Sequence, residues 1–261
     1  MKNNLSSPAG LNRRAFLTAS TAIAGAAGLA TLAPASAQAG LFSPRSLIAK
    51  NDVVLFQGDS ITDMGRKHEA ADKPNTSDCL GNGYAGMAGL ELLVDRSKDN
   101  LTVFNRGVSG NKVFQLADRW DADCLDLKPN VLSILIGVND IWHTITGKYQ
   151  GTVEIYERDY RALLTRTFKA LPKVKLIVCE PFVLRTGAVT DKWFPEFDGY
   201  RRAAKRVADT FHATFIPYQS IFDEAAKYAP PDFWLKDGVH PAPPGASLMA
   251  LHWLRTAAGK K

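Results

Sequence analysis

Residues 52–62, DVVLFQGDSIT, carry an apolar run into a tight turn and then onto a serine, Ser60. The run is continuously apolar rather than alternating, which is the pattern of a strand covered on both faces. Four more such runs follow, at 101–105 (LTVFN), 131–136 (VLSILI), 175–179 (KLIVC) and 214–217 (TFIP). Apolar residues recur at helical spacing over 84–96, 113–124, 152–170, 198–212, 219–228 and 244–258. In 152–170, Val153, Tyr156, Tyr160, Leu163, Leu164 and Phe168 fall near one face, and Pro172 closes the segment. Strands alternating with helices predict an α/β domain built on a parallel sheet with helices on both sides. Residues 63–83, DMGRKHEAADKPNTSDCLGNG, read as a long polar insertion over the strand ends, a place where loops are functional or mobile.

The N-terminus needs separate treatment because a targeting segment imitates a buried helix in composition. Residues 1–37 run from a polar start through Arg13-Arg14-Ala15-Phe16-Leu17 into a mild Ala/Gly-rich stretch ending Ala35-Ser36-Ala37. Paired arginines followed by Phe-Leu resemble a twin-arginine signal, which predicts passage through that export machinery and a periplasmic or extracellular protein. The stretch is too interrupted by small and polar residues for a stable membrane anchor. Cleavage after Ala37 would leave residues 38–261 as one domain and lower the formal charge from +6 to +3. That charge is small and scattered, so nucleic acid is not an expected partner. Cys79, Cys124 and Cys179 lack metal-ligand spacing, and an odd number cannot pair completely within one chain. Buried free thiols are the expectation, with a Cys79–Cys124 bridge as the alternative.

In open parallel sheets, ligands bind outside the carboxyl ends of the strands. The segments there are Gly58-Asp59-Ser60-Ile61-Thr62, Asn105-Arg106-Gly107-Val108-Ser109-Gly110-Asn111 and Gly137-Val138-Asn139-Asp140, with Asp237-Gly238-Val239-His240-Pro241 near the C-terminus. Serine after Gly-Asp is by itself an ordinary turn. Together the segments supply everything acyl transfer needs. His240 is a base for the Ser60 hydroxyl, and Asp237, three residues earlier, can reach round the turn to orient the imidazole. The backbone N–H groups of Ser60 and Gly110 and the amide of Asn139 are donors for a developing oxyanion.

These four blocks, in this order and at these strand ends, resemble the GDSL, or SGNH, family of esterases and lipases. The resemblance runs from about residue 52 to 258. It implies a three-layer α/β/α sandwich of flavodoxin-like type with a five-stranded parallel sheet. It also implies ester hydrolysis through an acyl-serine, with no metal and no cofactor. Residue by residue it assigns the nucleophile to Ser60, the oxyanion donors to Ser60, Gly110 and Asn139, and the acid and base to Asp237 and His240. The serine is not set in Gly-x-Ser-x-Gly, so the nucleophile elbow of ordinary α/β-hydrolases is not indicated.

The remaining candidates have blander readings beside the functional ones. Asp59 and Asp140 could be proposed as a glycosidase carboxylate pair, but hydrogen bonding to loop backbone is preferred. Asp63, Trp142, His143 and Trp234 are candidate substrate-binding residues, while Asp63 and Arg106 could equally hold loops together. Trp142, Trp193, Phe194, Phe233 and Trp234 could stack on a sugar or aryl ester or belong to the core. His68, His143, His212 and His252 read as surface or packing residues rather than metal ligands, with pocket lining as the alternative for His143. The absence of a long hydrophobic lid segment argues against long acyl chains. The resulting expectation is a short-chain ester hydrolase acting on a small-molecule or oligosaccharide ester, with deacetylation of a carbohydrate outside the cytoplasm as the leading reading. Lysophospholipase, thioesterase, arylesterase and a non-catalytic carbohydrate-binding protein stand as alternatives.

Overall fold

Phe56 and Gln57, neighbours on the first strand, face opposite ways, as pleating requires. Phe56 packs against Tyr84 and Trp253 at ring-centroid distances of 6.0 and 4.6 Å. Gln57 sends its amide to the Asp123 carbonyl at 2.7 Å. Both are wholly buried, so this strand has no solvent face. The structure is a computed structural model that describes residues 46–260, all within the compact unit Phe42–Lys261. The expected targeting signal, residues 1–37, lies outside the described residues.

Five strands form one parallel sheet: β1 (Val53–Gly58), β2 (Thr102–Asn105), β3 (Val131–Leu135), β4 (Lys175–Cys179) and β5 (Thr214–Ile216), in the spatial order β2-β1-β3-β4-β5. Val54 and Leu55 stand opposite Val131 and Leu132 of β3, joining the apolar runs in one layer. On one face lie α3 (Tyr84–Asp95) and α10 (Pro243–Ala258), which pack on each other. On the other face α6 (Val153–Ala170) packs against α4 (Val113–Asp118) and α7 (Glu196–Thr210). Tyr156 joins the last layer, touching Tyr160 and Tyr200 at 5.8 and 5.2 Å. This is the three-layer, flavodoxin-like arrangement expected from the apolar runs and the resemblance.

Several local expectations need correction. The segment 113–124 is not one helix: α4 stops at Asp118 and a five-residue π-turn follows, Asp121–Leu125. Trp120 between them is buried and hydrogen-bonded to Thr167 at 2.9 Å. The segment Gly137-Val138-Asn139-Asp140 after the third run, outside the helical spans expected from spacing, begins a helix, α5 (Val138–Ile145), whose start is masked by the turn-forming Asn139 and Asp140. The 63–83 insertion is not structureless. It holds a 3-10 turn, His68–Ala70, and helix α2 (Ser77–Leu80). Asn75 pairs with the outer edge of β2, accepting from the Val103 amide at 2.7 Å and donating to the Leu101 carbonyl at 2.8 Å, so the insertion covers an otherwise open strand edge.

All three cysteines are free and buried. Among the described residues, no helix is long and apolar enough to cross a membrane.

Candidate active site

Sheet order reverses direction at β1, so the crevice between the ends of β1 and β3 is a topological switch point. Ser60 opens the short helix α1 (Ser60–Asp63) directly after β1. Asp59 caps that helix, its Oδ1 accepting from the Ile61 amide at 3.0 Å. Asn139 lies in the first turn of α5, after β3. The loop holding Gly110 comes from β2 on the other side.

The segment carrying Asp237 and His240 leads into α10. It is preceded by α8 (Tyr218–Ala225) and α9 (Pro231–Trp234). Gly238 adopts φ +88, and a Cβ there would stand 2.4 Å from the Thr186 carbonyl oxygen, so the turn admits only glycine without distortion. That turn folds Asp237 back on His240. Asp237 Oδ1 accepts from the amides of Val239 and His240 at 3.0 and 2.7 Å, and Oδ2 lies 2.7 Å from His240 Nδ1. Partial burial pushes the Asp237 carboxyl upward, but the amide and ring hydrogen bonds outweigh it and hold the group below its ordinary value. His240 Nε2 is in turn 2.8 Å from Ser60 Oγ. A hydroxyl, an imidazole and a carboxylate are thereby joined in a line, across a sequence separation of 180 residues between serine and histidine.

Candidate donors lie on Ser60 itself and on the neighbouring β2 loop and α5. Neither the Ser60 nor the Gly110 amide donates to a protein acceptor among the described residues. Gly110 adopts φ +82, and no atom lies within 4 Å of where its Cβ would stand, so the space beside it is open. Asn139 gives one amide hydrogen to the Asn111 carbonyl at 3.2 Å, which leaves the other available. The structure thus brings Ser60, Gly110, Asn139, Asp237 and His240 into one neighbourhood. An ester oxygen turning negative there would meet uncharged, fixed donors.

The flanking acids are structural in geometry. Asp140 is buried and accepts from the Val113 amide at 3.4 Å. Burial pushes both Asp59 and Asp140 up to about 7. Asp63 is 7 % exposed and fully engaged: it accepts from the Ser109 amide and hydroxyl at 3.0 and 2.7 Å, and from His68 at 3.0 Å, with Arg66 at 3.2 Å. Its carboxylate therefore holds the 63–83 insertion to the Gly110 loop. Trp142 is half-buried, with its ring 5.9 Å from that of His240 and 5.6 Å from that of Trp193. Trp193 is core, 1 % exposed. Trp234 is largely buried and meets Phe233 edge-on at 4.9 Å, while Phe233 is exposed. Arg106 stands over Phe104 and its carbonyl accepts from Arg119 at 2.8 Å.

Two residues next to the donors escaped the sequence reading. Lys112 follows the Gly110 loop and reaches His143 of α5, its Nζ 3.1 Å from Nδ1. Arg119 donates to the carbonyls of Gly58 and Arg106 and to the side chain of Asn111, tying the ends of β1 and β2 together. Neither belongs to a short motif, so only their place next to the Gly110 block could have drawn attention. A separate concavity of about 390 Å³ lies near β5 between Glu180, Asp198, Arg201, Arg202 and Phe215, away from these groups, and its two acids are paired with Arg201. Among the described residues no group of three acidic, cysteine or histidine side chains is placed to hold a metal ion.

The arrangement has counterparts. The family model of the GDSL-like Lipase/Acylhydrolase family matches residues 56–248. An acetylxylan esterase of Geobacillus stearothermophilus is 32% identical over 210 residues, 80% of this chain and 94% of the relative. The crystal structure of Axe2, an acetylxylan esterase from the same organism, superposes with a TM-score of 0.71 at 31% identity, covering 80% of this chain and 95% of that one. A solved structure from Parabacteroides merdae, provisionally described as a GDSL-like lipase, gives a TM-score of 0.80 at 48% identity, covering 82% of this chain and 100% of that one. Solved variants of the Geobacillus esterase include catalytic mutants at a serine, an aspartate and a histidine, the last two separated as Asp237 and His240 are here.

Proposed function

This chain belongs to the GDSL-like lipase/acylhydrolase family of ester hydrolases, and from that premise we propose that it removes short acyl groups, acetyl foremost, from a carbohydrate through an acyl-serine intermediate. The observation that carries the reading is the continuous line from Ser60 Oγ through His240 to Asp237, at 2.8 and 2.7 Å, beside three uncommitted donors.

In the first half-reaction His240 Nε2 takes the Ser60 proton as Oγ attacks the ester carbonyl carbon. The carbonyl oxygen becomes negative and is held by the N–H groups of Ser60 and Gly110 and the free Asn139 amide hydrogen. His240 then gives its proton to the departing alcohol oxygen as the C–O bond breaks. In the second half, water loses a proton to His240 and attacks the acyl carbon, and the serine leaves with that proton. Asp237 fixes the imidazole with Nδ1–H toward itself and steadies the imidazolium that forms twice per cycle.

The acetyl and carbohydrate preferences rest on the resemblance to the acetylxylan esterase and on the Trp142 ring flanking His240. The paired arginines at 13–14 and Ala35-Ser36-Ala37 support export by the twin-arginine route to the periplasm or beyond. A rate series on acetyl, butyryl and octanoyl aryl esters and acetylated xylo-oligosaccharides, with Ser60→Ala alongside, tests the proposal. Acetyl-selective cleavage lost in the variant supports it. Faster cleavage of octanoyl esters would favour a lipid-directed or thioesterase role, and an unaffected variant would overturn Ser60 as nucleophile.

A further inference from the structure

Lys112 is a cation placed where few proteins leave one. It is 7 % exposed, and no carboxylate oxygen lies within 4.0 Å of its ammonium among the described residues. A buried charge without a counter-ion is costly unless something supplies one. The acid whose field it feels is Asp140, and burial pushes that carboxyl up to about 7, leaving it only partly charged at neutral pH. The polar contact of Nζ is with His143 Nδ1 at 3.1 Å. An ammonium can only donate, so Nδ1 accepts and the neutral ring carries its proton on Nε2. Burial, then Lys112, then Lys148 all disfavour protonation of His143, in keeping with that neutral tautomer.

Aromatic rings flank this pair. Lys112 Nζ lies 5.5 Å from the Phe114 centroid and 5.4 Å from that of Tyr149, and the two rings stack on each other at 5.6 Å and 29°. Phe114 is 37 % exposed, so the rings form an open ledge. The ledge adjoins the reacting centre. Lys112 is two residues beyond Gly110, and His143 stands one helical turn after Asn139 on the same face of α5.

We propose that Lys112, His143, Phe114 and Tyr149 form a subsite for a carboxylate-bearing sugar beside the ester, so that the preferred substrate is an acetylated oligosaccharide carrying a uronic acid. The free N–H groups of Lys112 and the Nε2–H of His143 meet the carboxylate, and the ring ledge meets the sugar face. The substrate thereby brings the anion that the fold itself withholds. This deepens the esterase reading and rests on it.

The test compares acetate release by the full chain from acetylated xylo-oligosaccharides with and without a uronic acid group. The acidic substrate is expected to have about tenfold higher kcat/KM, the size of a charge-assisted contact. The ratio should shrink as salt rises and approach one in Lys112→Gln. Equal rates in wild type, or a preference that survives Lys112→Gln, would overturn the subsite. A parallel calorimetric titration of folded Ser60→Ala with the acidic and neutral oligosaccharides reads the same preference without turnover. Should no substrate release acetate while the acidic sugar still binds more tightly, the esterase reading fails and the subsite stands. Equal binding of both sugars removes the subsite whatever the hydrolytic result, including the case in which Lys112→Gln does not fold.

Discussion

Asn139 donates its side-chain amide to the main-chain carbonyl of Asn111 at 3.2 Å, a bond that helps hold the helix after β3 and the glycine loop after β2 at one spacing. One amide hydrogen is used for position and the other is left to the substrate. Asn139→Ala removes both, and turnover on an aryl acetate should fall on the order of 10²–10³ with a smaller change in KM. Near-normal turnover by a folded variant would refute the oxyanion role.

Arg119 acts on the same spacing from behind. It donates to the Gly58 and Arg106 carbonyls at 3.3 and 2.8 Å, to Asn111 Oδ1 at 2.8 Å, and pairs with Asp123 at 2.8 Å. A lysine offers one point of charge in place of this planar fork. Arg119→Lys is expected to lower kcat roughly tenfold, KM less, and to reduce Tm, since each stranded buried acceptor costs about 1–3 kcal/mol. Added guanidinium restoring part of the kcat of Arg119→Ala would identify a positioning role. Unchanged kcat in Arg119→Lys would remove it.

Asp237 orients His240 and also ties down two backbone amides. Asp237→Asn should lower turnover on the order of 10³–10⁴ by presenting the wrong partner to Nδ1. Because its folded value is depressed, the ionised group contributes stability above its unfolded value near 3.8, lost as pH falls through the lower folded value. Thermal melts of the variant should therefore depend less on pH below about 4 than those of wild type. Parallel melting curves would contradict this linkage.

Asp140 titrates in the opposite sense. Burial raises it from 3.8 to about 7, so between those values the unfolded chain loses a proton that the native state keeps. Its contribution is fully present below the unfolded value and declines as pH rises toward about 7. Asp140→Asn, which can still accept from the Val113 amide, should flatten the fall of Tm between about pH 4 and pH 7. Retention of the wild-type slope would show that Asp140 stays ionised in the folded protein.

Gly238 has its φ at +88, and a methyl group on its Cα would stand 2.4 and 2.6 Å from the Thr186 and Leu184 carbonyl oxygens. Gly238→Ala should cost more than about 1 kcal/mol in urea melts and displace His240, lowering activity beyond the stability effect. A variant as stable and active as wild type would mean that the turn is less constrained than its geometry indicates.

The run KLIVC at 175–179 is a strand with the same bounds, and the first run, read over 52–57, is a strand one residue on, at 53–58, because continuous apolar runs favour two-sided burial. The spacing of Asp237, Gly238 and His240 likewise made their turn legible, since it is decided within four residues. The segment 113–124 is interrupted beside Trp120, whose hydrogen bond to Thr167 is a tertiary contact, and the start of α5 is masked because Asn139 and Asp140 also favour turns. For Asp63 the sequence leaves substrate binding and loop-holding equally open, and its contacts to Ser109, His68 and Arg66 match the loop-holding role. Lys112 and His143, 31 residues apart, carry no shared motif, and only packing of the β2 loop on α5 puts them together. Short-range order follows from sequence because steric and apolar preferences act on neighbours. Which cation lies beside which ring depends on how the layers close, and that is settled by the whole core at once.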